Sequence, residues 1–279
     1  MMEKSAYSSD IEIILSHRYD QGADLWTTPD QRLIKGSPYS TVECALYLLE
    51  LGMSPDDPVL KAVSELIFQK WQEDGRFRVY PEGSIYPCQT VAAAKALCHL
   101  GYVTDPRIQK TLEHLLEIQY QDGGWRCNKF PFGHGEETDS SNPLPTLNVL
   151  DVFRYTGLIN QEPKLEKAVE FLLQHWVNRR PIGPCHYGIG TLFMQVEYPF
   201  RNYNLFEYVY VLSFYEYARR DERFQEAYRV LKGKLVHDQV VVERVVPKLA
   251  QLSFCKKGLP SESATKKFRE ISKNVTSHI

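Results

Sequence analysis

Three stretches of this chain repeat one pattern. Each opens on Pro-x-x-Thr, at Pro38–Thr41, Pro87–Thr90 and Pro143–Thr146. An apolar run follows, then a glycine (Gly52, Gly101, Gly157), a short polar break and a second run, marked in two copies by Leu115-Leu116 and Leu172-Leu173. The openings recur about every 50 residues, the period of a two-helix repeat whose units bury their apolar faces by stacking on one another. No strand-period alternation persists along the chain. The predicted fold class is all-α, and such hairpins can close into a single α/α toroid around a central cavity, where function is then sought.

At 43% hydrophobic residues the chain can bury a substantial core. A net charge of −2 argues against a nucleic-acid partner, which calls for a basic face. The lysines at Lys256-Lys257 and Lys266-Lys267 read as a solvated tail helix. No apolar run reaches the ~18 residues that cross a bilayer, so no membrane span is expected. The opening Met1-Met2-Glu3-Lys4-Ser5 does not lead into the apolar core of a signal peptide, and the expected location is the cytoplasm. Six cysteines in 279 residues are expected to stay as thiols in a reducing compartment.

Asp10–Tyr19 reads as an entry helix capped by Asp10, and 20–36 as a loop. Helices are predicted near Thr41–Leu51, Asp57–Trp71, Cys88–Leu100, Pro106–Tyr120, Leu144–Tyr155 and Pro163–Trp176. A fourth, degenerate unit carries helices near Leu205–Arg219 and Glu222–Leu235, and two more are predicted near Val240–Leu252 and Ser261–Lys273. Caps such as Asp105-Pro106 set several of these starts. The domain reading is an N-terminal helix and loop over 1–37, toroid repeats over 38–254 and a helical tail over 255–279, in one domain. Two long loops, Cys127–Pro143 and Asn178–Asn204, have the length of lids or binding loops.

The second unit ends in Gln119-x-Gln121-Asp122-Gly123-Gly124-Trp125. With this QxxDGGW element at the end of its second helix, the chain resembles the prenyltransferase and squalene-cyclase repeat superfamily over roughly 38–235. The resemblance implies an α–α toroid, with inner helices lining a cavity and the glutamine–tryptophan element tying helix ends. Gln121, Gly124 and Trp125 are accordingly read as structural. Squalene-type cyclases carry an Asp-x-Asp-Asp motif; Ser54-Pro55-Asp56-Asp57 lacks its first aspartate and reads as a helix cap. No Asp-Asp-x-x-Asp motif is present. Protein prenyltransferase β subunits follow a Gly-Gly-Phe turn with a zinc aspartate and cysteine. Here Gly75-Arg76-Phe77 is followed by Cys88 at a matching spacing, and the aspartate position is taken by Tyr86, a candidate catalytic residue.

Repeat alignment sets Cys127 just past Trp125 and Cys185 at a similar point of the third unit, with His186 beside it. Together with Cys88 these form a candidate Zn²⁺ site, since thiolate and imidazole ligands suit that ion; buried thiols are the alternative. Cys44 and Cys98 read as core and Cys255 as incidental. His134, in a loop with Glu136, Glu137 and Asp139, is a candidate acid or base. The densest aromatic segment offers Tyr198, Phe200, Arg201, Tyr203, Phe206 and Tyr210 as a wall for an isoprenoid or other small hydrophobic molecule, with Glu197 and Glu207 as its nearest catalytic candidates. Three functions stay open. One is a zinc-assisted, prenyltransferase- or cyclase-like enzyme on an apolar substrate. Another is a non-catalytic toroid for a hydrophobic ligand or protein partner. The last is a carbohydrate-acting α/α barrel using a carboxylate pair, for which Glu43 and Asp151 are the inner-helix candidates.

Overall fold

The computed structural model describes residues 7–127 and 139–276. About half of the chain is helical, with few strands, in keeping with an all-α fold. It divides into two compact units: 1–114 with 246–254, and 115–245 with 255–279.

In the first unit, α1 (Ser8–Ser16), α2 (Thr41–Glu50), α3 (Pro58–Phe68) and α4 (Pro87–His99) pack as successive hairpins, α2 against α1, α3 and α4, and α3 against α4. Asp57 caps α3 by accepting from Val59 N at 2.8 Å, and Pro58 holds the first helical position. α5 (Pro106–Glu117) begins the same way, with Asp105 accepting from Arg107 N at 2.9 Å. Asp10 does not cap α1. It lies inside the helix, buried, and its carboxylate accepts from Ser253 N, Ser253 Oγ and Phe254 N, each at 2.8 Å. Three such charge-assisted bonds explain a buried aspartate better than one cap does.

In the second unit α6 (Pro143–Phe153) packs on α7 (Pro163–Asn178) and α8 (Leu205–Leu212), while α10 (Glu222–Lys232) packs on α7 and α8. The layering follows from composition. All eight residues of α8 are buried, as befits a helix that is aliphatic or aromatic at every position except Glu207. In α10 only Phe224, Ala227 and Leu231 are buried, one stripe at helical spacing. The expected single helix over Leu205–Arg219 is broken: α8 stops at Leu212 and a short α9 (Glu216–Arg219) resumes after Tyr215. The break is held by Arg219 Nη1 donating to Ser213 O at 2.9 Å and Tyr215 OH donating to Leu150 O at 2.6 Å. α11 (Glu262–Thr276) packs on α8 and on a small hairpin, so the tail is part of this unit.

The helix expected over Val240–Leu252 does not form. Instead β1 (Leu235–Val236) pairs antiparallel with β2 (Gln239–Val240) across His237 and Asp238, both at positive φ, as a two-residue primed turn requires. The chain beyond stays extended: Val242 N donates to Leu259 O at 3.1 Å and Glu243 N to Val196 O at 2.9 Å. Three consecutive valines, Val240–Val242, and Pro247 favour this over a helix.

The repeat signature has one physical meaning in both units. At the first junction Phe77 N donates to Thr90 Oγ1 at 3.2 Å, and Trp71 Nε1 donates to Arg107 O at 3.1 Å. At the second, Trp125 N donates to Thr146 Oγ1 at 3.0 Å, and Gln119 Nε2 donates to Lys164 O at 2.7 Å. The threonine of Pro-x-x-Thr therefore accepts from the aromatic residue that ends the preceding unit. The glutamine that reaches the next helix is Gln119, the first residue of the element, not Gln121. Gly75 and Gly123 both sit at positive φ, and a Cβ on Gly123 would lie 2.5 Å from Lys167 O, so only glycine lets the turn approach the next helix.

Candidate functional site

The aromatic segment of the second unit forms a continuous ring wall. Tyr198 meets Phe200 edge-on at 5.7 Å, Phe200 meets Phe206 at 5.0 Å and Tyr210 at 5.7 Å, and Tyr210 meets Phe214 at 5.3 Å. These separations suit favourable edge and tilted ring contacts. Tyr198, Phe206 and Tyr210 are buried, while Phe200 and Phe214 are half-buried. Helix α8 supplies Phe206 and Tyr210 one turn apart, and Phe214, four residues further on and just past the αR cap Ser213, continues the same line.

Charge is built into this wall. Asp151, 2% exposed on α6, takes a hydrogen bond from Arg154 Nε at 2.5 Å. Arg154 Nη2 donates to Tyr155 OH at 2.6 Å. Burial opposes the Arg154 charge, but Asp151 and the neighbouring phenols outweigh it and hold the guanidinium protonated beyond its ordinary range. From α11, Lys267 Nζ stands 4.8 Å from the Tyr210 ring and 5.8 Å from Phe200, and Glu270 accepts from Tyr210 OH at 2.9 Å. Burial drives the Tyr210 phenol well above its usual range, so it stays a hydrogen-bond donor.

The remaining candidates divide. Glu197, 1% exposed, accepts from Asn202 N at 3.0 Å and Nδ2 at 2.8 Å and pairs with Arg244 Nη1 at 3.1 Å. The Asn202 bonds close a turn within the 196–204 segment, and the Arg244 pair fastens that segment to the strand-like 243–244 stretch. Glu207 is buried in the first turn of α8, where its N–H donates to the Asn204 cap at 2.9 Å. Arg201 is half-buried. Glu43 accepts from Ser37 Oγ at 2.9 Å and Ser40 Oγ at 2.7 Å at the start of α2, and Asp151 is held by Arg154, so both carboxylates of the carbohydrate reading have structural partners. His134 lies outside the described residues, as do Glu136 and Glu137; Asp139 pairs with Arg126 at 2.6 Å.

Tyr86 is half-buried ahead of α4, where its N–H donates to Gln89 Oε1 at 3.3 Å. Cys88 is exposed on α4, Cys127 is buried, and Cys185 is exposed with its N–H donating to Asn142 Oδ1 at 3.1 Å. His186 follows at positive φ, and its N–H donates to Gly183 O at 2.9 Å. Among the described residues no three His, Cys, Asp or Glu side chains come together to hold a metal ion. The described Cys88, Cys127, Cys185 and His186 are thus not gathered into the expected zinc site. Cys255, expected to be incidental, is buried along with Cys44 and Cys98.

Tyr203 serves a different purpose from Tyr210. Its OH lies 3.0 Å from His175 Nδ1, while His175 Nε2 lies 3.0 Å from Arg180 O. A carbonyl only accepts, so Nε2 carries the proton and Nδ1 accepts from the phenol. This bond pair pins both ends of the 179–204 segment to α7. Burial depresses the His175 pKa below its ordinary 6.5. The folded state therefore keeps His175 neutral where the unfolded chain takes a proton, and stability falls as pH drops below the ordinary imidazole range. Thermal melts from about pH 8 to about pH 5 are expected to show a falling Tm that is shallower in His175→Gln; parallel curves contradict the assignment.

Arg154, Phe214, Lys267 and Glu270 were not identifiable as site residues from the sequence. One signal was present: Asp151 and Arg154 are charged residues at i and i+3 in an otherwise apolar run, a spacing that brings them together on one helix face.

No protein-family model matches the chain. A curated protein, the squalene–hopene cyclase of Zymomonas mobilis subsp. mobilis, is 28% identical over 143 residues, covering 48% of this chain and 21% of the cyclase. The chain thus spans about a fifth of that relative's length. The relationship is distant and squalene-cyclase-like, over about half of the chain. Among the described residues no helix is long and apolar enough to cross a membrane.

Proposed function

We propose that this squalene-cyclase-like chain closes into an α–α toroid and binds a neutral apolar molecule of isoprenoid type against the wall of Tyr198, Phe200, Phe206, Tyr210 and Phe214, without cyclising it. The observation that carries this reading is the unbroken ring wall in which two members, Phe200 and Phe214, are only half-buried. Aromatic side chains are the usual apolar contact surface for such a ligand, with a few polar groups fixing its orientation. Binding is favoured over proton-initiated cyclisation by the state of the carboxylates. An acid that starts a carbocation must deliver a proton, whereas Asp151 and Glu197 are each paired with an arginine and act as acceptors.

Thermal unfolding with farnesol tests the proposal. With ligand at about ten times its dissociation constant, Tm is expected to rise by about 2 °C. Phe200→Ala and Phe214→Ala are expected to weaken binding about tenfold, the loss of one well-packed ring contact. An unchanged Tm in the parent protein sinks the reading. A zinc-assisted transferase would instead show stoichiometric metal that is lost in Cys88→Ala.

A further inference from the structure

The Arg154 guanidinium is surrounded by rings. Its Cζ lies 4.3 Å from the Tyr155 centroid, 4.7 Å from Phe214 and 5.3 Å from Tyr210. All three are within cation–π range. Tyr210 and Phe214 stand at 88° to each other, forming a corner. Asp151 sits at the floor as counter-ion, and Tyr155 closes the third side while accepting from Nη2. Three ring walls and a buried carboxylate are what a site for a small organic cation requires.

We infer that Tyr155, Tyr210 and Phe214 form a cation-binding box that the protein fills with its own Arg154. The consequence is a selectivity. The ring surface that would attract a ligand's ammonium or guanidinium group already faces two of the protein's own cations, Arg154 at Tyr155, Tyr210 and Phe214 and Lys267 at Tyr210 and Phe200. A further cation brought beside them meets like-charge repulsion in a poorly solvated place. The wall is thereby left to neutral apolar ligands. This last step rests on the proposed apolar-ligand function; the box itself does not.

Emptying the box tests it. Arg154→Ala leaves room for a guanidinium between the rings and above Asp151. With methylguanidinium at about ten times its dissociation constant, the Tm of Arg154→Ala is expected to rise by about 2 °C, with no rise in the parent protein or with equal sodium chloride. Adding Phe214→Leu to Arg154→Ala removes one wall and is expected to abolish most of that rise, an outcome that simple loss of packing would not produce. If Arg154→Ala does not fold, refolding from urea reads the same effect: methylguanidinium restores soluble protein and sodium chloride does not. Equal behaviour of the two salts overturns the inference. For the selectivity, farnesol is expected to protect the parent protein from heat while farnesyl-trimethylammonium does not. Equal protection by both overturns the selectivity. If neither ligand protects, the apolar-ligand function fails, while the methylguanidinium result still decides the box.

Discussion

Asp151→Asn is expected to lower unfolding free energy by about 3–5 kcal/mol, the usual cost of stranding one member of a buried ion pair. The asparagine keeps the volume and loses the charge, so the Arg154 guanidinium remains nine-tenths buried with no counter-ion beside it. The rings of Tyr155, Tyr210 and Phe214 attract that cation but supply only about 0.5–2 kcal/mol each at best, and they already contribute in the parent protein. Removing both charges is a different perturbation. Asp151→Asn with Arg154→Met replaces the pair by polar and apolar groups of similar size, and such replacements are often neutral. The double variant is therefore expected to recover most of the loss. Urea unfolding of the parent, both single variants and the double gives the coupling directly. A single variant within about 0.5 kcal/mol of the parent contradicts a tightly paired Asp151.

The second large effect is at the repeat junction. Trp125→Ala is expected to cost about 3–5 kcal/mol, the range for deleting a large buried aromatic. Trp125 is fully buried, its indole Nε1 donates to Leu115 O at 2.8 Å, and its backbone N–H is held by Thr146. Trp125→Phe keeps most of the apolar volume and removes the indole donor, leaving the Leu115 carbonyl in need of a partner. It is expected to cost about 1–3 kcal/mol. A larger loss in Phe than in Ala, or no loss in either, would contradict a junction held by ring burial plus one donor. Circular-dichroism melts of the two variants check the order.

These two sites differ in how legible they were. The junction could be read from the sequence because its chemistry is local and repeated. Gly123 must turn, Trp125 must be covered, and Thr146 opens the next helix, so each residue type is dictated by its own position. Even the exchange of Gln119 for Trp71 preserves a donor to the next helix start, at Lys164 and Arg107. The assignment to Gln121 failed because two glutamines lie near the turn and only geometry separates them. Helix starts at Pro58, Pro106 and Pro163 agree with expectation for the same local reason.

The site was legible only in part. The aromatic density around 198–210 corresponds to ring contacts among Tyr198, Phe200, Phe206 and Tyr210, while Tyr203 turns to His175. Its charges come from α6 and α11, far away in sequence, and no local pattern pairs Lys267 with Tyr210 or Arg154 with Phe214. Glu197 looked poised beside aromatics, yet Arg244, brought in by the extended 240–244 stretch, claims it. That stretch was itself misread as helix, because a valine run satisfies either periodicity until its hydrogen-bonding partners are known. Asp10 was misjudged for the same reason, its partners lying at Ser253 and Phe254.

Native mass spectrometry of the protein after incubation with farnesol, followed by release and identification of the bound molecule, tests the central claim most directly. The account predicts one farnesol per chain, recovered unchanged. Recovery of a cyclised or transferred product, or a protein that retains no farnesol at all, would contradict it.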